Sequence, residues 1–149
     1  MSSALEDTFG YIDALFTKSG NDPRKLENAA LLFVWVSKAL VLRWHTSVQD
    51  IINKLITCVR NEIIGKYVTE HLALIVQDFD DCLNAKMHCK MRLMYKQRFL
   101  ESIVPMLVEG YTNAVEAVKG NFLKAISRLL QQLPKQMLQK QIFEVRVCF

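Results

Sequence analysis

The stretch Leu26–Trp44 has the sequence LENAALLFVWVSKALVLRW, which is apolar on nearly every side of a helix. Lys38 and Arg43 interrupt it, so the uncharged run falls short of the ~20 residues needed to span a bilayer. A helix of this kind must be enclosed by other helices. We therefore predict the inner helix of a stacked helical array, with Trp35 and Leu40 buried and Lys38 at the surface.

Composition favours an all-helical class. The chain has 149 residues, of which 51% are hydrophobic, enough to bury an ordinary core. Only 5 Gly and 3 Pro are present, too few for the frequent tight turns of a sheet protein. A net charge of +4 permits contact with an acidic protein or a nucleic acid but requires neither. The segment Ser2–Gly10 contains Glu6 and Asp7 rather than a secretory signal, so we expect a protein of the cytoplasm and nucleus.

Caps and apolar stripes predict about seven helices. Pro105 either kinks the helix it interrupts or divides it in two. The polar segment Asp78–His88 is predicted to be a loop. The predicted helix starts are Ser3 with its capping box to Glu6, Asp22 as the cap before Pro23, Ser47, Asn61, Lys90, the stripe that begins at Phe122, and Lys135, whose helix extends to about Val145.

The spacing of alternate helix starts suggests a repeat. Ser47, Lys90 and Lys135 are 43 and 45 residues apart, inside the range of ~40 to 47 residues for HEAT and armadillo repeats. Internal similarity between the units is weak, which leaves an irregular helical bundle as the alternative. We predict an all-α protein, a HEAT-like alpha-solenoid forming a single domain over residues 1–149.

Catalytic motifs are absent from the sequence: it has no glycine-rich phosphate loop, no HExxH and no GxSxG. Glu62, Glu70 and Glu101 are scattered and form no acid–base pair by spacing. The grouping of Cys82, His88 and Cys89 matches no zinc signature, so the cysteines are interpreted as thiols. We predict no enzymatic activity, no metal site and no cofactor.

A basic segment is the strongest charge feature, since no acidic residue lies between Asp81 and Glu101. Arg92 and Lys96 are four residues apart and would share a helix face. A solvated face, a docking patch for an acidic partner and a nucleic-acid site are the three interpretations, although few aromatic residues are interleaved for base stacking. The candidate partner-binding residues are Lys86, Lys90, Arg92, Lys96 and Arg98.

Three segments carry a family resemblance. They are WVSKALVLRWH (Trp35–His45), YKQRFLESIVPMLVEGY (Tyr95–Tyr111) and VKGNFLKAISRLLQQLPK (Val118–Lys135). In this order they resemble the carboxy-terminal HEAT repeats of the MMS nineteen family of adaptors, which act in cytosolic iron-sulfur protein assembly. The resemblance extends over roughly Asn21–Lys135, and the first segment is its most specific part.

The resemblance implies a non-enzymatic adaptor. Members of the family join a WD-repeat subunit to a small subunit with a reactive cysteine, and together they deliver iron-sulfur clusters to apoproteins of DNA repair, replication and transcription. The carboxy-terminal repeats dock the small subunit, and members occur in cytosol and nucleus. We therefore expect docking through the basic segment or, failing that, through the last helix around Ile142 and Phe143. A nucleic-acid-binding helical repeat is the alternative function.

The chain departs from the family in its length and its end. It is far shorter than a full adaptor, and the last predicted helix is followed only by Val145–Phe149. We expect a fragment, a truncated isoform or an imperfect gene model, and the residues alone leave these three open.

Overall fold

Six α-helices form the framework of the part of the chain that the structure describes. A computed structural model describes residues 3–79 and 81–133, and this part of the chain contains no strand. The seventh predicted helix, which starts at Lys135, lies outside the described residues. The helices are α1 (Ser3–Ser19), α2 (Pro23–Leu42), α3 (Val48–Arg60), α4 (Ile64–His71), α5 (Leu93–Asn113) and α6 (Glu116–Leu130), with short 3-10 helices at Leu72–Ile75 and Ala85–Met87.

Side chains accept hydrogen bonds from backbone N–H groups at two of the described α-helix starts. The carboxylate of Asp22 caps α2, accepting hydrogen bonds from the backbone N–H groups of Arg24 and Lys25 at 3.1 and 3.4 Å. Asn61 does the same before α4, where its Oδ1 accepts from two N–H groups at 3.0 and 2.9 Å. Ser47 holds the cap position of α3 as predicted, but its hydroxyl makes no capping bond. The predicted start near Lys90 is three residues early, because α5 begins at Leu93.

The helices pack as three consecutive pairs. The pairs are α1 with α2, α3 with α4 and α5 with α6, while α2, α4 and α6 also contact one another in a row. The first helices of the pairs begin at Ser3, Val48 and Leu93, so each pair starts 45 residues after the one before. The all-α prediction is confirmed, and the regular pairing is consistent with a helical repeat solenoid.

The predicted burial of α2 needs correction. Phe33 and Val34 are fully buried, as an enclosed helix requires. The predictions for Trp35 and Lys38 are wrong, because Trp35 is 36% exposed whereas Lys38 is only 2% exposed. Leu40 is half-buried against the core. Helix α2 contacts α1, α3, α4 and α5, but the face that carries Trp35 opens onto a groove.

Close helix contacts depend on two glycines. A Cβ atom on Gly110 of α5 would lie 2.3 Å from the ring of the buried Phe122 of α6. A Cβ atom on Gly65 of α4 would lie 2.5 Å from the side-chain nitrogen of Asn121. That nitrogen donates to the backbone carbonyls at the end of α3, 3.3 Å away. Helix α5 runs through Pro105 as one helix, so Pro105 does not divide it.

Polar contacts also join neighbouring helices. Glu70 and His71 are adjacent in sequence and point to different helices, as expected for consecutive helical residues. Glu70 pairs with Arg128 of α6, and His71 Nε2 lies 3.5 Å from a carboxylate oxygen of Glu27 on α2. Within the described ranges, none of the helices is both long enough and apolar enough to cross a membrane.

Candidate docking site

A surface groove of about 610 Å³ lies between α2, the start of α5 and the connection that leads to α5, whose described residues are 76–79 and 81–92. We call it the basic groove, because four of its lining residues are cationic and none of the described lining residues is acidic. Such a surface attracts anions. Its described lining residues are Trp35, Lys38, Ala39, Leu42, Arg43, Leu83, His88, Cys89, Lys90, Arg92 and Tyr95.

Helix α2 forms the first wall of the basic groove. Its lining residues Trp35, Lys38, Ala39 and Leu42 are spaced i, i+3, i+4 and i+7, which places them on one helix face. Arg43 follows at the end of the helix. The aromatic ring of Trp35 packs at a tilt against Phe79 of the connection, with ring centroids 5.6 Å apart. This face is therefore both apolar and cationic.

The ammonium of Lys38 holds the connection against α2. Its Nζ donates to the backbone carbonyls of Leu74 and Gln77 at 2.9 and 2.6 Å, and to that of Ile75 at 3.4 Å. It also lies 5.1 Å from the ring centroid of Phe79. A lysine has three N–H donors, and all three have acceptors here. Lys38 therefore fixes the connection and contributes positive charge, but has no donor left for a ligand.

Burial changes the titration of Lys38. The pKa of Lys38 is lowered from 10.5 to about 8, chiefly because burial desolvates the ammonium. Asp78 and Cys82 act to raise this pKa, and nearby Lys96 acts to lower it. Lys96 is only 9% exposed, and its ammonium makes no hydrogen bond or ion pair within residues 3–79 and 81–133. Two lysines of the sequence thus lie beneath the surface near the basic groove.

The second wall is a row of rings and guanidinium groups. Trp44 lies just after α2 with a φ of 47°, a left-handed conformation that is uncommon for a bulky residue. Its ring stacks on Tyr95 of α5, with centroids 5.7 Å apart. Arg92 lies 5.7 Å from the Tyr95 centroid and Arg98 lies 5.9 Å from that of Trp44, within cation–π range. The row fixes Arg92 at the rim of the groove.

The five predicted partner-binding residues do not form one face. Lys90 and Arg92 line the basic groove, and Lys90 also borders an adjoining cavity of about 490 Å³ with the exposed Lys86. Arg98 is exposed but lies outside the described groove lining. The prediction that Arg92 and Lys96 project together is wrong, because Lys96 is buried. Arg92 is the cap residue before α5 and has an extended backbone, so the helical i, i+4 rule does not apply to the pair.

Sequence reasoning missed the contribution of α2 to the groove. Arg43 and Trp35 belong to the helix that was predicted to be enclosed, and neither they nor Tyr95 were among the predicted partner-binding residues. A signal was available, since Trp35, Lys38 and Leu42 share a helix face on spacing alone. That face carries a lysine and so differs from the purely apolar faces of the same helix.

The thiols near the groove form no metal cluster. In the part of the chain that the structure describes, no group of three or more His, Cys, Asp or Glu side chains could hold a metal ion. Cys82 is exposed and Cys89 is half-buried, while Cys58 is buried between helices. Burial raises the pKa of the Cys58 thiol to about 11. The groove thus offers cations and aromatic surface for binding.

Comparison with known proteins gives a family match over nearly the whole chain. The model described as "RNAPII transcription regulator C-terminal" matches residues 1–145. A Xenopus tropicalis protein named "MMS19 nucleotide excision repair protein homolog" is 40% identical over 76% of this chain. The human protein of the same name is 33% identical over 88% of it. The Schizosaccharomyces pombe "DNA repair/transcription protein mms19" is 30% identical over 77%.

These relatives are much longer than the chain. The matched region covers 11% of the Xenopus tropicalis protein and 13% of the human one. The chain thus spans about a tenth of the length of the curated relatives that it matches.

Proposed function

Because this chain belongs to the MMS19 family and matches its C-terminal region, we propose that it is a non-enzymatic adaptor module that docks subunits of the cytosolic iron-sulfur targeting complex. The relatives are named as proteins of nucleotide excision repair, DNA repair and transcription, and none of those names denotes an enzyme. On this proposal the chain is part of a HEAT-repeat solenoid that acts in the cytoplasm and nucleus.

The observation that supports docking is the basic groove. Arg43, Lys90 and Arg92 present cations at its rim, while Ala39 and Leu42 provide apolar surface within it. Protein interfaces combine an apolar centre with a polar rim in this way, and charge complementarity speeds the association of partners. A groove of this composition suits an acidic protein surface.

The proposed partners follow from the adaptor role. They are a WD-repeat subunit, a small subunit with a reactive cysteine, and the iron-sulfur apoproteins of DNA repair, replication and transcription that receive clusters. The chain itself holds no cluster on this proposal, and its cysteines serve no cluster chemistry. Its task is to bring the subunits together.

Capture of the small cysteine-bearing subunit by the purified chain tests the proposal. The parent should capture the subunit, and Lys90→Glu with Arg92→Glu should slow or abolish capture because both changes reverse charge at the groove rim. The matched control is Lys66→Glu with Lys124→Glu, which changes the net charge equally at two exposed lysines outside the described groove lining. Circular dichroism would verify that every variant is folded.

Failure of the parent chain to capture the small subunit or the WD-repeat subunit would contradict the adaptor proposal. Equal capture by the groove variant and the parent would move the interface away from the groove. In that case the surface around Ile142 and Phe143, outside the described residues, is the next candidate.

A nucleic-acid-binding helical repeat is the second candidate, because Trp35 and Tyr95 stand beside the cations of the groove. Salt distinguishes the two functions. Binding to phosphates weakens steeply as salt rises, since each contact releases counterions, whereas an interface with an apolar centre weakens far less. The salt dependence of binding to a single-stranded oligonucleotide and to the small subunit would decide between them.

A further inference from the structure

We propose that the basic groove binds an extended acidic peptide segment, whose carboxylates contact Arg43, Lys90 and Arg92 and whose apolar side chains occupy the floor between Trp35 and Tyr95. This inference rests on the proposed docking function and specifies the part of the partner that would enter the site. A surface of this kind would bind a linear segment of a partner through contacts with its individual side chains.

The cations at the rim are available to a ligand. Within residues 3–79 and 81–133, the side chains of Arg43, Lys90 and Arg92 make no hydrogen bond or ion pair with an acceptor of the chain itself. Lys38 differs, because its three donors are taken by backbone carbonyls. The groove can therefore give charge-assisted hydrogen bonds from three positions on two walls, and these bonds are stronger than neutral ones.

The presence of both cations and apolar surface in the groove favours a peptide that carries acidic and apolar side chains. Ala39, Leu42 and Leu83 supply apolar surface within the groove, and the cations lie around it. Successive side chains of an extended chain point in opposite directions. A segment that alternates acidic and apolar residues could therefore direct its carboxylates to the rim while its apolar side chains reach the floor.

The aromatic residues of the groove are poorly placed to stack on nucleic-acid bases. Tyr95 already has the ring of Trp44 stacked on it and the guanidinium of Arg92 5.7 Å from its centroid. Trp35 packs against Phe79. Binding of single strands depends on ring faces that bases can cover. These rings serve better as apolar walls, which favours a peptide over an oligonucleotide.

Lys38 acts as a positioning residue in this proposal. Its bonds to the carbonyl of Leu74, in the preceding 3-10 helix, and to that of Gln77, near the start of the connection, hold the point from which the connection begins. The connection later carries Lys90 and Arg92. The variant Lys38→Met removes the bonds but keeps the apolar stem of the side chain. It should weaken peptide binding although Lys38 has no donor left to give the peptide.

Fluorescence anisotropy with a labelled peptide that alternates glutamate and leucine tests the proposal. The parent chain should bind this peptide, and it should bind the same peptide with glutamine in place of glutamate at least about tenfold more weakly. Lys90→Glu with Arg92→Glu should weaken binding of the acidic peptide by a similar factor. Lys66→Glu with Lys124→Glu should bind like the parent, and circular dichroism would confirm the fold of each variant.

Three results of the peptide measurements would overturn the proposal, and one competition result follows: the three are no binding of the acidic peptide by the parent, equal binding of the glutamine peptide, or equal binding by the groove variant. Displacement of the peptide by a single-stranded oligonucleotide at lower concentration would overturn it in favour of a nucleic acid. Capture of the small subunit, measured on the same proteins, separates the two proposals. Capture of the small subunit without peptide binding supports the adaptor function and contradicts the peptide site. Peptide binding without capture supports the peptide site and contradicts the adaptor function.

Discussion

Replacement of Lys38 by methionine tests whether the buried ammonium holds the connection against α2. The methionine keeps an unbranched apolar stem but has no donor for the carbonyls of Leu74, Ile75 and Gln77. Two of the three bonds, at 2.9 and 2.6 Å, are short enough to be strong, while the third, at 3.4 Å, is weak.

The expected loss is about 1–3 kcal/mol of unfolding free energy at pH 7, the penalty for leaving buried acceptors without a donor. Desolvation of the ammonium opposes the gain from the bonds, because burial lowers the pKa of Lys38 to about 8. For this reason the loss should stay below the sum of three charge-assisted bonds. Hydrogen exchange should also increase in the connection, whose start is no longer held.

The pH dependence has a definite sign. The pKa of Lys38 is 10.5 when unfolded and about 8 when folded, so between these values the native state binds fewer protons than the unfolded state. The penalty for burying the charge is complete below pH 8 and disappears as the pH rises to 10.5. The unfolding free energy of the parent should therefore rise relative to that of Lys38→Met over this range, by at most about 3 kcal/mol.

Urea unfolding followed by circular dichroism at pH 7, 8 and 9.5 measures both effects. A control variant, Lys66→Met, removes an exposed lysine and should change the unfolding free energy by less than about 0.5 kcal/mol at each pH. A Lys38→Met protein as stable as this control at pH 7, with a parallel pH profile, would refute the assignment of Lys38 as the residue that holds the connection.

Four further outcomes are expected. Gly110→Ala should destabilise the chain by about 1–3 kcal/mol, since the added methyl group would meet a buried phenylalanine ring. Gly120→Ala has open space and should be neutral or stabilising by up to about 1 kcal/mol. Equal stability of the two variants in urea would contradict the packing of α5 on α6. Phe33→Ala should cost about 3–5 kcal/mol and Leu40→Ala clearly less, because only the first is fully buried; the reverse order in urea unfolding would be inconsistent with the described core. The pKa of Cys58 rises from 9.0 to about 11 on folding, so its contribution to stability is complete below pH 9 and declines as the pH rises to 11. Under reducing conditions Cys58→Ala should therefore lose less stability than the parent from pH 8 to pH 10. Identical pH profiles of the two proteins would exclude this contribution. The purified chain should carry no stoichiometric zinc or iron by metal analysis, and a metal lost on replacing the exposed cysteine of the connection would reverse this prediction.

The helices could largely be predicted from the sequence because their signals are local. Asp22 before Pro23 and Asn61 before α4 each act within a few residues, and both predicted helix starts lie close to the observed ones. The predicted loop Asp78–His88 lies inside the longer observed connection, which also contains the short 3-10 helix Ala85–Met87. Periodicity then gave the apolar stripes, since helical geometry fixes which positions share a face. The repeat spacing was predicted from Ser47, Lys90 and Lys135. The first two lie close to the observed starts at Val48 and Leu93, and Lys135 lies outside the described residues.

The orientation of α2 was not predicted, because the helix is apolar on most faces and its neighbours decide which face is exposed. The acceptors of Lys38 lie 36 to 39 residues further along the chain and are backbone carbonyls, which leave no trace in a side-chain pattern. A lysine beside aromatic residues was therefore interpreted as a surface charge, although its donors are satisfied below the surface. The same reasoning placed Trp35 in the protein interior. In the structure its indole instead borders the groove.

The site was only half predictable for a related reason. The basic segment indicated Lys90 and Arg92. Arg43 contributes a positive charge from the other wall of the groove and is 47 residues earlier than Lys90 in the chain. The bonds of Lys38 connect the two halves, since they hold the connection next to α2. Fold and site thus depend on one side chain: Lys38→Met should reduce stability and peptide binding together, whereas Lys90→Glu with Arg92→Glu should reduce binding alone. If the Lys38 variant lost stability but bound the peptide as the parent does, the groove would not depend on the position of the connection, and its cations would have to act from a flexible rim.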